Sequence, residues 1–236
     1  MLESGGSGGP GVGRIPVKIC GLTREGDVDA AVEAGADAVG FVQYPPSPRF
    51  VDAARAAELA RRLPPFVTPV LLFVNAAPDV VADAAARIPG ALLQFHGDET
   101  PDDCWAASGR GTWGYLRAAR IPVDATRDSL DLAGFVAEYA SARAVLLDAQ
   151  VRGYGGGGQS FDWSVVPALP DAHLVLGGGL TSDNVASGIA ALRPRCRTLS
   201  VDVSSGVEAA KGIKDAALMR DFVAAVRATS HPAAAS

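Results

Sequence analysis

Residues 37–74 read "DAVGFVQYPPSPRFVDAARAAELARRLPPFVTPVLLFV". Two short runs rich in Val, Leu and Phe, "DAVGFV" (37–42) and "PVLLFV" (69–74), flank "DAARAAELARRL", which opens on an aspartate and closes on arginines as a helix dipole favours. Both runs are continuously apolar, the pattern of parallel strands that are covered by helices on one face and packed on the other. The stretch is a strand, a helix and a second parallel strand.

The same unit recurs in both directions. "VKICG" (17–21), "ALLQFHG" (91–97), "WGYLRA" (113–118), "AVLLDA" (144–149), "HLVLGGG" (173–179) and "TLSVDV" (198–203) bring the strands to eight, with Gly, Pro, Asp or Asn at almost every boundary. "TREGDVDAAVEAG" reads as a helix with a threonine cap, early acidic residues and a closing Gly35. An open doubly wound sheet shares this alternation, but eight units favour a single (β/α)₈ barrel. One catalytic domain is expected over residues 16–229, between a flexible leader (1–15) and a flexible tail (230–236), with "GYGGGGQ" (153–159) a mobile loop after the sixth strand.

With 48% apolar and 20% charged residues, the chain can bury a core without disulfides or a structural metal. A net charge of −5 argues against a general nucleic-acid binder but leaves room for a local cationic pocket. Cys20, Cys104 and Cys196 are widely spaced and odd in number, which suggests neither a disulfide framework nor a zinc site and fits a reducing cytoplasm. The leader has an early glutamate and no apolar core, unlike a secretory signal. The longest apolar stretch, "VTPVLLFV", is far short of the ~20 residues of a spanning helix, so no membrane partner is expected.

Barrel chemistry sits at the C-terminal ends of the strands. Cys20 and Asp148 stand at two such ends, and "GGGLTSDN" and "DVSSGVE" at two more. A single glycine loop more often serves a tight turn. Two on consecutive strands, each before a helix start, point instead to a phosphate site with Gly178, Gly179, Asp202, Ser204, Ser205 and Gly206 as substrate-binding residues.

A lone buried cysteine is usually inert, but Cys20 precedes Gly21 and a helix start, and the helix dipole with nearby Lys18 favours a thiolate. Asp148 reads either as a cap or as an acid. Arg49, in the proline-stiffened "YPPSPRF", reads either as a solvated side chain or as a fork for a carboxylate. His96 reads as a supporting or structural residue, and three histidines without ligand spacing give no metal site. Asp162 and Trp163 are expected to cap and staple a following helix.

In these residues the chain resembles the phosphoribosylanthranilate isomerase family. The resemblance covers nearly all of residues 16–227, through "KICGLT", "GADAVGFV" followed by "SPR", "FVN", "QFHGDE", "LLDA", "GGGGQSFDW", "GGGLTSDNV" and "VDVSSGVEAAKGIKD". It implies a (β/α)₈ barrel without cofactor that acts on a small phosphorylated substrate, with Cys20 as general base and Asp148 as general acid. Arg49 would hold the anthranilate carboxylate and the "GGG" and "SSG" loops the phosphate. Departures are Gly157 for the family's threonine, Gly177 in "LGGGL", Phe95 in "QFHG" and Arg117 for a lysine.

The implied Amadori rearrangement needs one acid to open the sugar ring and one base to take the C2′ proton. A thiol lowered from about 8.5 toward 7 requires roughly 2 kcal/mol, and a carboxylic acid raised from about 3.9 toward 7 some 4 kcal/mol. Other phosphosugar barrels would bring metal-ligating histidines, or a lysine with glutamates, at strand ends, and neither set is evident. A barrel that only binds a ligand is the remaining alternative, which the conjunction of Cys20, Asp148 and Arg49 disfavours. The assembly is expected to be a monomer or homodimer.

Overall fold

Eight parallel strands close on themselves in chain order: β1 Val17–Cys20, β2 Ala38–Val42, β3 Thr68–Phe73, β4 Leu92–Phe95, β5 Tyr115–Pro122, β6 Ala144–Gln150, β7 Leu169–Leu176 and β8 Cys196–Val203. Lys18 of β1 pairs in register with Asp202 of β8, which completes the barrel. The computed structural model describes residues 13–150 and 160–230; the expected mobile loop at 153–159 lies outside them.

Alternation along the strands sorts the side chains into two environments. Ile19, Phe41, Leu71, Phe73, Leu93 and Phe95 join one large core, in which Phe95 meets Tyr115 edge to face at 5.3 Å. Their neighbours fall in separate small groups, Cys20 with Val42, Leu72 and Val74, and Ala118 with Leu146 and Val175. The first set packs the barrel against its helices and the second lines the bore.

The helices are α1 Glu25–Ala34, α2 Ala53–Ala60, α3 Pro78–Arg87, α4 Pro101–Ala107, α5 Leu132–Glu138, α6 Val185–Leu192 and α7 Ala216–Ala228. The Asp52 carboxylate accepts from Arg55 N at 2.7 Å and caps α2, as its sequence predicts. Gly35 closes α1 in the left-handed region, φ 92°. Thr23, however, does not cap α1: Arg24 holds the cap position, and the Thr23 hydroxyl donates to Gly212 O at 3.1 Å.

Two further expectations are corrected. Asp162 caps only a 3-10 turn, Trp163–Val165, because Pro167 offers no N–H and disfavours helical geometry at Val166 before it. "SSGVE" likewise starts a 3-10 turn, Ser205–Val207, followed by a ribbon of β9 Glu208–Ala210 and β10 Ile213–Lys214, so no α-helix opens there. Among the described residues no helix is long and apolar enough to cross a membrane.

Candidate active site

All nine residues nominated from the sequence, Cys20, Arg49, Asp148, Gly178, Gly179, Asp202, Ser204, Ser205 and Gly206, line one cavity at the C-terminal mouth of the barrel.

On one side, β1 and β8 bring Lys18, Cys20 and Asp202 together. Lys18 Nζ donates to Asp202 Oδ1 at 2.8 Å in a buried ion pair, and burial alone would lower the ammonium's proton affinity. The Asp202 carboxylate, with help from Cys20, reverses that and raises it. Burial pushes the Cys20 thiol above its usual range; Lys18 pulls the other way without winning. The expectation of a thiol lowered toward neutrality is therefore wrong for this protein without ligand. The helix credited with stabilising a thiolate begins only at Glu25, and desolvation of the sulfur outweighs the lysine. Space for the thiol comes from Gly40 on β2, where a Cβ would stand 2.6 Å from Cys20 Sγ.

Arg49 is 7% exposed and not a solvated side chain. Its Nε and Nη2 donate to Glu208 Oε1 and Oε2 at 2.7 and 2.8 Å, and Nη1 has no hydrogen-bond partner among the described residues. Glu208 also accepts from Lys214 Nζ at 2.8 Å, across the β9–β10 ribbon. Lys214 Nζ donates as well to Ser204 O at 2.9 Å, and the Ser204 hydroxyl donates to Cys20 O at 3.0 Å. Burial works to raise the Glu208 carboxyl, but its bonds to two cations hold it below the ordinary range. Burial lowers Lys214, which shares that carboxylate with Arg49 and is not fully compensated.

Across the bore, His96 Nε2 and Asp148 Oδ2 lie 2.9 Å apart, and His96 Nδ1 is 3.0 Å from Gln94 Nε2. Gln94 is fully buried, and its Oε1 has no partner among the described residues. Behind them the Arg117 guanidinium donates to Phe95 O, Gly97 O and Glu99 Oε2, and stacks 4.9 Å from the Tyr139 ring.

The glycine loops are shaped by close backbone approach. Gly178 has φ 75°, and a Cβ there would collide with Ala149 N. A Cβ on Gly206 would collide with Leu180 O, so the loops after β7 and β8 touch through their main chains. Asn184 Oδ1 accepts from Thr181 N at 2.9 Å and shapes the entry to α6. Among the described residues no group of His, Cys, Asp or Glu is arranged to hold a metal ion.

Residues 17–225 match the family model described as N-(5′-phosphoribosyl)anthranilate isomerase. The chain belongs to this family. The N-(5′-phosphoribosyl)anthranilate isomerase of Leptothrix cholodnii is 59% identical over 91% of each chain. Among solved structures, the phosphoribosyl anthranilate isomerase of Thermotoga maritima superposes with a TM-score of 0.77 at 38% identity, covering 91% of this chain and 99% of that one. Another, solved in complex with reduced 1-(o-carboxyphenylamino)-1-deoxyribulose 5-phosphate, gives 0.72 at 34% identity over 91% and 99%.

For a phosphoribosylanthranilate isomerase family member, the sequence reading found the cavity but missed its supports. His96, read as a supporting or structural residue, contacts Asp148 directly. Glu208 and Lys214 lie inside "VEAAKGIKD", where nothing local announces that both turn inward. Gly40 gave no signal either, since its function is the volume it leaves empty.

Proposed function

We propose that this isomerase of tryptophan biosynthesis converts N-(5′-phosphoribosyl)anthranilate into 1-(2-carboxyphenylamino)-1-deoxyribulose 5-phosphate by general acid–base catalysis in the cavity described. Asp148 protonates the ribose ring oxygen and the ring opens to an iminium. Cys20 as thiolate takes the C2′ proton, and the resulting enolamine tautomerises to the ketone as a proton returns to C1′. No atom is gained or lost.

The observation that carries this reading is that Cys20 on β1 and Asp148 on β6 line one cavity, together with Arg49 and the glycines of the loops after β7 and β8. Arg49, gripped by Glu208 on two nitrogens, offers Nη1 to the anthranilate carboxylate. Gly178, Gly179, Ser204, Ser205 and Gly206 offer amides and hydroxyls to the phosphate, and Asp202 holds Lys18 beside Cys20. Burial raises the Cys20 thiol, so the thiolate that serves as base is the minor form at neutral pH and a correspondingly strong base.

The rest of the reading is one catalytic domain over 16–229 between the leader and tail, a reducing cytoplasm in line with three unpaired cysteines, no nucleic-acid partner, and a monomer or homodimer that sedimentation would distinguish. The deciding experiment is the loss of anthranilate-type fluorescence when purified enzyme meets the freshly made substrate. Cys20→Ala and Asp148→Asn preparations control for contaminants. A wild-type chain that leaves the fluorescence unchanged would falsify the reading.

A further inference from the structure

The Gln94 amide, next to the histidine that contacts Asp148, is left half satisfied by its surroundings. Its Nε2 contacts His96 Nδ1 at 3.0 Å, while Oε1 is buried with no partner among the described residues. An amide that donates to Nδ1 fixes the imidazole proton on Nε2, which then donates to Asp148 Oδ2 across 2.9 Å. That arrangement suits Asp148 as a carboxylate, the state after it has given up its proton. It does not suit the acid ready to act.

Adding one proton to the unit changes what Gln94 must do. If the proton goes to His96, the imidazolium carries Nδ1–H; if it stands on Asp148 Oδ2, which faces Nε2, the imidazole's own proton leaves Nε2 for Nδ1, and either way Nδ1–H needs an acceptor. Turning the amide over presents Oε1 to Nδ1–H. Either orientation leaves one end of the amide unpaired, so the two lie close in free energy and the proton decides between them.

We propose that Gln94 and His96 are positioning residues that store the catalytic proton with Asp148: the loaded trio is carboxylic acid, imidazole and an amide turned to accept, and the spent trio is the arrangement described above. The inference rests on Asp148 being the acid. Its charged surroundings are Asp202 on β8, neutralised by Lys18 of β1; Cys20 on β1; and, behind β4 and β5, Arg117 held by Glu99. Arg120, which pairs with Asp148 in strand register, donates to Asp98 Oδ1 at 3.0 Å.

The test follows the proton directly. In ¹⁵N NMR of the free enzyme, His96 should show Nε2–H alone at high pH and gain Nδ1–H as the pair loads. Gln94→Leu removes the acceptor and leaves the loaded unit's Nδ1–H buried without a partner, which disfavours the loaded form against the spent one, whose Nδ1 loses only a donor. Loading should move about one pH unit lower, the scale of one hydrogen bond, with up to tenfold slower turnover at neutral pH. Gln94→Glu, which offers Nδ1–H a full charge, should move loading upward. Changes of opposite sign are not what a merely structural glutamine gives. An Nδ1 that stays unprotonated while the acid-side limb of kcat/KM titrates, or two variants that load at the wild-type pH, would overturn the proposal. Full turnover in Asp148→Asn would instead remove Asp148 as the acid, whatever the NMR shows.

Discussion

The two walls of the cavity solve the same problem, burying charge, in opposite ways. On the β1–β8 side each charged group has opposite charge within hydrogen-bond reach: Lys18 with Asp202, and Glu208 with both Arg49 and Lys214. On the β4–β6 side two buried polar atoms, Gln94 Oε1 and Arg117 Nε, have no partner among the described residues. A fully paired network holds one geometry, whereas a half-paired one has a second arrangement within reach. With the roles proposed above, the wall with the base is built to stay still, and the wall with the acid has slack where a proton must come and go.

The largest effects should come from taking the reacting group out of either wall. Cys20→Ala and Asp148→Asn should each lower kcat by about 10²–10⁴ while circular dichroism and melting stay near wild type. Near-normal turnover in one variant would reduce the comparison to a single functional wall.

Next is the lysine that sets the charge around the base. Lys18→Met strands a buried carboxylate and should cost about 3–5 kcal/mol in denaturant unfolding, so it is best paired with Asp202→Asn. In that double variant the pull of Lys18 on the thiol is gone, and Cys20 should ionise at still higher pH. Iodoacetamide alkylation at fixed pH should slow about tenfold for every pH unit by which the thiol's titration midpoint rises. The limb of kcat/KM that follows the thiol should move upward with it. An alkylation profile that does not move would mean that Lys18 is irrelevant to the base.

Smaller and of another kind is the effect of loosening Arg49. Arg49→Ala should raise KM by about 10²-fold, and Glu208→Gln by about tenfold, with kcat changed less in both, since a weakened charge-assisted pair costs binding first. Their double variant should be no worse than Arg49→Ala alone, because Glu208 acts on substrate through the arginine. Additive losses would show that Glu208 has a separate role, through Lys214 and Ser204.

What could be read in advance follows from the range of the interactions. Strand periodicity, the Asp52 cap and the Gly35 stop are local in sequence, and the barrel and its mouth followed from them. The thiol's environment was not legible, since whether Lys18 or desolvation prevails depends on how deeply Cys20 sinks beside Asp202, which is distant in sequence. Thr23 failed as a cap for the same reason, because Gly212, distant in sequence, claimed its hydroxyl. His96 was noticed, but its partner lies two strands away on β6.

The smallest effect expected concerns how the acid wall is anchored. Glu99, which accepts from Asn75 N and Gly97 N and pairs with Arg117, immediately precedes the capping box of α4, in which Asp103 Oδ2 accepts from Thr100 N at 3.0 Å and from its hydroxyl at 2.7 Å. The Thr100 hydroxyl and then its backbone N–H hold the Asp103 carboxyl below its usual range. A folded-state value below the unfolded one, about 3.9, means that the stabilisation is fully present above that pH and is lost as pH falls through the folded value. Asp103→Ala should therefore melt slightly earlier than wild type at neutral pH. In strong acid the gap should close or change sign, since alanine is the better helix former. KM and kcat should stay put, because the box touches nothing in the cavity; a kinetic change would mean that the acid wall draws its geometry from further out than Glu99.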